Sequence, residues 1–306
     1  MLRSALLVAS RNRAVRRIVE HAPVSRDVVR RFVAGTATDN AVEVAEKLVA
    51  DGLAVSIDHL GEDTTEVGHA EATTKAYVTL LGRLAEHGLG DRVEVSVKLS
   101  AVGQALDESL ALDNARAICE AALAAGTTVT LDMEDHTTTD STLAIHRELR
   151  ADFPLVGAVL QSYLRRTEAD CRDLAVEGSR VRLCKGAYRE PPGVAYTSPK
   201  QVDRSYVRCL RVLMEGPGYP MVATHDPRLI ALTDKLVADN GRAPGSYEFQ
   251  MLYGIRPKEQ LRLAGRGDVV RVYVPYGDEW YGYLMRRLAE RPANVAFFLR
   301  ALATKG

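Results

Sequence analysis

The chain has 306 residues with 40 basic and 40 acidic side chains, a formal net charge of zero and a pI near 7.1, so it offers no broad electrostatic footprint for nucleic acid or an anionic membrane; a small uncharged or zwitterionic substrate suits this balance better. Cys119, Cys171, Cys184 and Cys209 stand far apart, without a C-x-x-C pair or the Cys/His spacing of a zinc site; they read as buried thiols, and no metal is expected. No apolar run approaches the roughly 18 residues of a membrane span, so any membrane contact would be peripheral.

The start is Arg-rich and acid-poor, and helical periodicity at 5–19, 25–33 and 39–51 makes residues 1–51 an N-terminal helical arm. Ser25 and Asp39 are candidate N-caps, and Gly52 ends the third helix. From residue 52 to 306, short β-branched runs alternate with helical patterns. The runs are 55–62, 93–100, 127–135, 156–163, 181–188, 221–226, 247–253 and 269–276. The helical patterns between and after them are 66–87, with Thr64 and Thr65 at its cap, then 109–125, 139–150, 167–177, 200–214, 227–240, 257–264 and 279–290, with a last helix near 294–303. Gly and Pro fall between these elements. The expected fold is α/β, a (βα)8 TIM-like barrel, which at about 250 residues forms one domain. An open doubly wound sheet competes, but no G-x-G-x-x-G follows the first strand.

A strand buried on both faces is expected to be apolar along its length, so the polar residues at the C-terminal ends of these runs are the first catalytic candidates. VSVKLSA puts Lys98 at one strand end and TLDMED puts Asp132 at the next; together they could bind a zwitterion or set up a Schiff-base site. VLQSYL places Gln161 likewise, and ATHD places Thr224 and His225. In VRLCKGAYRE, Arg182 lies inside a strand, an uncompensated buried charge unless it meets an electron-rich ligand, while the turn at Lys185, Gly186 and Ala187 exposes backbone N–H groups beside a cation, which suits a phosphate or a flavin ring. A structural pairing of Arg182 and Lys185 with Asp132 or Glu134 is equally open. In GYLMRRLAE, Tyr283, Arg286, Arg287 and Glu290 share one helical face aimed at the barrel mouth, where paired guanidiniums match a carboxylate or a phosphate; a solvated basic face is the plainer alternative.

In order, LGE after the first strand, VSVKLSA, LDMED, LQSYL, VRLCKGAY, ATHD, FQMLYG, VRVYVPYG and YLMRRLAE resemble the proline dehydrogenase family, and the resemblance runs from about residue 54 to 298. It is closest to the short, single-function bacterial enzymes. It implies a distorted (βα)8 barrel with FAD at the C-terminal rim, oxidation of L-proline to 1-pyrroline-5-carboxylate by hydride transfer to flavin, and electrons passed on to a membrane quinone. It also implies a cytoplasmic enzyme that visits the inner face of the cytoplasmic membrane and hands its product to a separate pyrroline-5-carboxylate dehydrogenase. By the same resemblance, Asp132 and Arg182 are catalytic, with Arg182 against the flavin. Arg286 and Arg287 with Lys98 hold the proline carboxylate, and Tyr273, Tyr283 and Leu252 wall the ring. Met133, Gln161, Arg182, Lys185, Gly186, Ala187, Thr224 and His225 contact FAD. Glu62 and Arg286 pair as a gate across the mouth. Two other classes stay open: a Schiff-base aldolase using Lys98 or Lys185, and a non-catalytic barrel without flavin.

Overall fold

The computed structural model describes residues 29–290, with side chains as far as Met285. Eight parallel strands close into a barrel in chain order: β1 (Ala54–His59), β2 (Val93–Lys98), β3 (Val129–Asp132), β4 (Gly157–Gln161), β5 (Arg180–Cys184), β6 (Tyr219–Ala223), β7 (Glu248–Leu252) and β8 (Val270–Tyr276), with β8 pairing back on β1. Each overlaps a run expected from the sequence. After a helical turn at 29–32, the described helices are α1 (Thr38–Ala50), α2 (Val67–Glu86), α3 (Glu108–Ala124), α4 (Thr139–Asp152), α5 (Thr167–Leu174), α6 (Pro199–Glu215), α7 (Pro227–Asp239), α8 (Pro257–Gly265) and α9 (Trp280–Glu290). The (βα)8 barrel is therefore the fold. No described helix is long and apolar enough to cross a membrane. The helical patterns at 5–19 and 294–303, and Ser25, lie outside the described residues.

Alternation along the strands sends one set of side chains outward under the helices and the other into the barrel. The outward set is apolar. Val55 and Ile57, Val95 and Val97, Leu131, Leu183, Val272 and Val274 are all buried in the main core, each contributing about 1.5–3 kcal/mol by burial. The inward set corrects the expectation of apolar strands. Ser56 and Asp58, Glu94, Ser96 and Lys98, Thr130 and Asp132, Arg180 and Arg182, and Glu248 and Gln250 are all buried. Such a polar interior persists because its charges neutralise one another at short range.

Two helix starts also differ from expectation. Ala37, not Asp39, is the N-cap of α1, and Asn40 reaches back to accept from its N–H at 3.3 Å. The hydroxyl of Thr64 does not cap α2, which begins after Glu66; it donates instead to the carbonyl of Ala101.

The departure from a regular barrel lies where the ring closes. Helix α1 packs Ala41, Val42 and Ala45 into the main core against β1 and β8, taking the outer seat beside the closing strand pair. Tyr281, Tyr283, Leu284 and Met285 of α9 instead join Phe32, Val33, Leu60 and Ile255 in a separate cluster. Leu60 and Ile255 lie just past the C-terminal ends of β1 and β7, so α9 lies across the barrel mouth. The chain before α1 crosses the same rim, with Gly254 packed so closely on Arg31 that a Cβ there would sit 1.8 Å from its carbonyl oxygen.

Candidate active site

The C-terminal mouth is built around Asp132 at the end of β3. Its Oδ1 accepts from the Ser96 hydroxyl at 2.8 Å and from Arg182 at 2.7 Å, and its Oδ2 accepts from the Tyr273 hydroxyl at 2.6 Å. Lys98 Nζ lies 3.9 Å from Oδ2 and donates to both oxygens of Asp58 at 2.7 Å. Burial works against the Lys98 ammonium, but Asp58, Asp132 and Glu62 outweigh it and hold its pKa above the ordinary lysine value. Burial and the Asp132 charge keep Tyr273 a neutral phenol. Thus Lys98 and Asp132, which the sequence paired, share one cluster with Arg182 and with Tyr273, which the resemblance named.

Arg182 takes the structural pairing with Asp132 that the sequence left open, so it is not an uncompensated charge. Besides Asp132, its terminal nitrogens reach the hydroxyls of Ser96 at 2.9 Å and Ser56 at 3.2 Å, and Glu94 at 3.5 Å. Its guanidinium also lies 5.3 Å from the centre of the Tyr273 ring. Burial favours neutralising it, but the two carboxylates keep it charged. Its Nε is different: among the described residues this buried N–H has no hydrogen-bond partner. Below Arg182, Glu94 binds Arg180 at 2.6 Å, and Arg271 joins Glu248 at 2.9 Å. Burial raises the Glu94 pKa, but the guanidiniums of Arg271, Arg180 and Arg182 override that and bring it to about 2. Four cations, Lys98, Arg180, Arg182 and Arg271, are thus matched by Asp58, Glu94, Asp132 and Glu248 in one neutral column. A cavity of about 510 Å³ at the opposite mouth is lined by Glu94, Arg180 and Arg271 at the foot of this column and does not reach Lys98, Asp132 or Tyr273.

Sequence reasoning missed Asp58, Glu94, Ser56 and Ser96. Strict alternation in VEVSVK and in the first strand places all four on the inward face, and reading that period beyond the strand ends would have found them.

The rest of the rim places the other candidates. Buried Gln161 donates to the carbonyl of Glu134 at 2.5 Å, and Met133 is buried beside it. Lys185 pairs with Asp203 at 2.7 Å and Asp226 at 3.5 Å, not with Asp132 or Glu134. Gly186 has φ +108° and packs directly on the Tyr163 ring, where a Cβ would come within 2.2 Å; no larger residue fits. Ala187 beside it is exposed. The Thr224 hydroxyl accepts from the Asp226 N–H at 3.1 Å, which leaves its own proton to donate. His225 Nε2 accepts the Leu252 N–H at 2.9 Å, so the ring proton is on Nδ1. Leu252 packs with buried Tyr283 in the α9 cluster. Arg286, Arg287 and Glu290 lie on α9, but their side chains are outside the described residues, and with them the Glu62–Arg286 gate.

The family profile described as Proline dehydrogenase matches residues 41–300. The chain belongs to the proline dehydrogenase family. It is 39% identical over 305 residues to Proline dehydrogenase 1 of Bacillus subtilis (strain 168), covering 100% of both chains. It is 41% identical over 281 residues to Proline dehydrogenase of Deinococcus radiodurans, covering 90% of each. Among solved structures, proline utilization A from Bdellovibrio bacteriovorus inactivated by N-propargylglycine superposes with a TM-score of 0.81 at 26% identity, over 90% of this chain and 34% of that one. The chain therefore spans about a third of that longer protein and the full length of the first curated relative. It is an oxidoreductase of the proline dehydrogenase type and an enzyme of proline catabolism.

Proposed function

We propose that this enzyme is an FAD-dependent L-proline dehydrogenase that forms 1-pyrroline-5-carboxylate and passes the electrons to a membrane quinone. The observation that carries this reading is Arg182. Five neighbours fix its guanidinium, yet it keeps one buried N–H without a partner among the described residues. A buried donor left unmatched costs about 1–3 kcal/mol, so a ligand acceptor there has a clear advantage. The surrounding groups fit a flavin: Met133 and Gln161 on one side, Lys185, Gly186 and Ala187 after β5, and Thr224 and His225 after β6 would hold it. When bound, FAD supplies the acceptor for a hydride from proline C5.

The chain's own residues do the remaining work. Lys98, with Arg286 and Arg287, holds the proline carboxylate; Asp58 uses two of the lysine's three N–H groups and leaves one for the substrate. Tyr273, Tyr283 and Leu252 wall the ring and orient C5. Asp132 is occupied by Arg182, Ser96 and Tyr273, so it acts by fixing the site rather than as a free base. The amine must be neutral for hydride to leave, and a cationic clamp favours loss of its proton. Glu62 and Arg286 close the mouth, excluding water. Residues 1–51 form the arm, and 52–306 carry both sites. The enzyme is cytoplasmic, visits the membrane peripherally, and releases its product to a separate pyrroline-5-carboxylate dehydrogenase.

A Schiff-base aldolase fits the site less well. A nucleophilic lysine needs a lowered pKa, whereas Asp58 and Asp132 hold Lys98 protonated. An absorbance spectrum of the purified protein tests the proposal: flavin bands, with FAD released on denaturation, are expected. A colourless protein that takes up no added FAD would contradict it.

A further inference from the structure

One buried carboxylate at the mouth belongs to none of the roles above. Glu134 lies two residues past Asp132 and is 7% exposed. Both of its oxygens are spent on a single residue: Oε1 accepts from the Ser100 hydroxyl at 2.6 Å and Oε2 from the Ser100 N–H at 3.1 Å. Ser100 sits in a short 3-10 turn, Leu99–Val102, that begins where Lys98 ends β2.

The same turn carries the loop after β1. Ser100 Oγ accepts the Asp63 N–H, the Ser100 carbonyl accepts the Thr64 N–H, and the Ala101 carbonyl accepts the Thr64 hydroxyl, each at 3.2 Å. A hydroxyl has one proton; because Ser100 gives its proton to Glu134, its lone pairs face Asp63. Asp63 has φ +54°, one of two non-glycine residues with positive φ among the described residues. That conformation costs on the order of 1 kcal/mol, so the loop stays in it only while held. Glu62 is the adjacent residue.

We propose that Glu134 is a positioning residue for proline capture: through Ser100 it fixes the loop after β1 and so sets Glu62 over the mouth of the barrel. The inference rests on the proposed function, which takes Glu62 as the closing residue. The latch depends on the charge of Glu134, because an ionised carboxylate accepts from both the Ser100 hydroxyl and its N–H, whereas a protonated one surrenders the charge-assisted half of that grip.

The groups facing Glu134 are Ser100 and Lys98 from the β2 side and Glu62 from the loop after β1. Gln161 from β4 bonds its carbonyl, and the His136–Glu190 pair lies two residues further along. Burial pushes its carboxyl up, aided by Glu62; the Ser100 bonds and Lys98 pull it down, and it settles at about 7. The latch is therefore set above neutrality and released below it.

The test compares kcat and KM for proline across pH 6–8.5 in the FAD-loaded parent, Glu134→Gln and Ser100→Ala, with flavin content measured in each. At pH 6 the parent is protonated and resembles the glutamine variant, so their kcat/KM values should coincide. At pH 8.5 the parent should exceed both variants about five- to tenfold, the scale of one lost net hydrogen bond of 1–1.5 kcal/mol, chiefly through KM. A parent-to-glutamine ratio that is the same at every pH would reduce Glu134 to a structural residue and overturn the inference. Hydrogen exchange of the parent reads the latch without turnover or variants. The Asp63 and Thr64 amides, corrected for intrinsic rates, should be better protected at pH 8.5 than at pH 6. Equal protection would overturn the latch even if the parent oxidises proline, whereas a pH-dependent latch in a parent that does not oxidise proline would count against the proposed function alone.

Discussion

Asp58 shows how much of this site hangs on single residues. It takes both short bonds from the buried Lys98 ammonium while being 1% exposed itself. Removing one partner of such a pair leaves an uncompensated charge, at a cost of about 3–5 kcal/mol. Asp58→Asn is expected to lose that much stability in chemical denaturation, and a loss below about 1 kcal/mol would show that Asp132 alone suffices for Lys98. Tyr273 makes a different prediction. Its hydroxyl is tied to Asp132, and its ring packs beside Arg182, so in the proposed site a fixed ring fills the space over the substrate. The enzyme should prefer proline to hydroxyproline, and Tyr273→Ser should gain on hydroxyproline relative to proline. No relative gain in kcat/KM would remove Tyr273 from specificity.

At the scale of elements, the loop after β1 and helix α9 meet at the same mouth, where Leu60 packs in the α9 cluster. Losing one charged partner of a desolvated anion costs about 2–5 kcal/mol, so Arg287→Met should bind FAD normally and raise the proline KM at least tenfold. An unchanged KM would eliminate the clamp. Glu62→Ala should keep fold and flavin but slow flavin reduction by proline in stopped flow; rate and affinity equal to the parent's would rule out the gate. The barrel was legible because short β-branched runs and intervening helical periods repeat along the chain. Lys98, Asp132 and Arg182 were legible as polar residues on strands, and Tyr273 only through the family resemblance. What stayed hidden depends on distance across the barrel. Nothing local in VRLC says that Arg182 meets Glu94 of β2, 88 positions away, or that Ser100 would join Glu134 to Asp63. The exchange of seats between α1 and α9 was equally invisible, since an amphipathic pattern states which face is buried but not against which strands.

For the whole molecule, two buried groups make opposite demands on pH. His146 donates from Nε2 to the Val156 carbonyl, and burial pushes its pKa from 6.5 down to about 4. Its contribution is present above 6.5 and lost as pH falls toward 4. Glu134 is raised from 4.5 to about 7, so its neutral form favours the fold at low pH and its ionisation costs stability as pH rises through that window. Each effect is on the order of 3 kcal/mol, and between pH 5 and 7 they oppose. The parent's urea midpoint should therefore change little across that range, while Glu134→Gln should lose about 2 kcal/mol on acidification from pH 7 to 5 as His146 acts alone. A variant as flat as the parent would contradict the assignment. Glu94, held at about 2 by its three guanidiniums, adds stability above 4.5 that is lost in stronger acid.

The central claim is that this barrel mouth brings proline to a bound flavin. Anaerobic mixing of the purified, FAD-loaded enzyme with L-proline tests it most directly. The flavin bands should bleach in a single turnover, with one equivalent of 1-pyrroline-5-carboxylate formed per FAD. A full complement of FAD that stays oxidised in saturating proline would contradict the account.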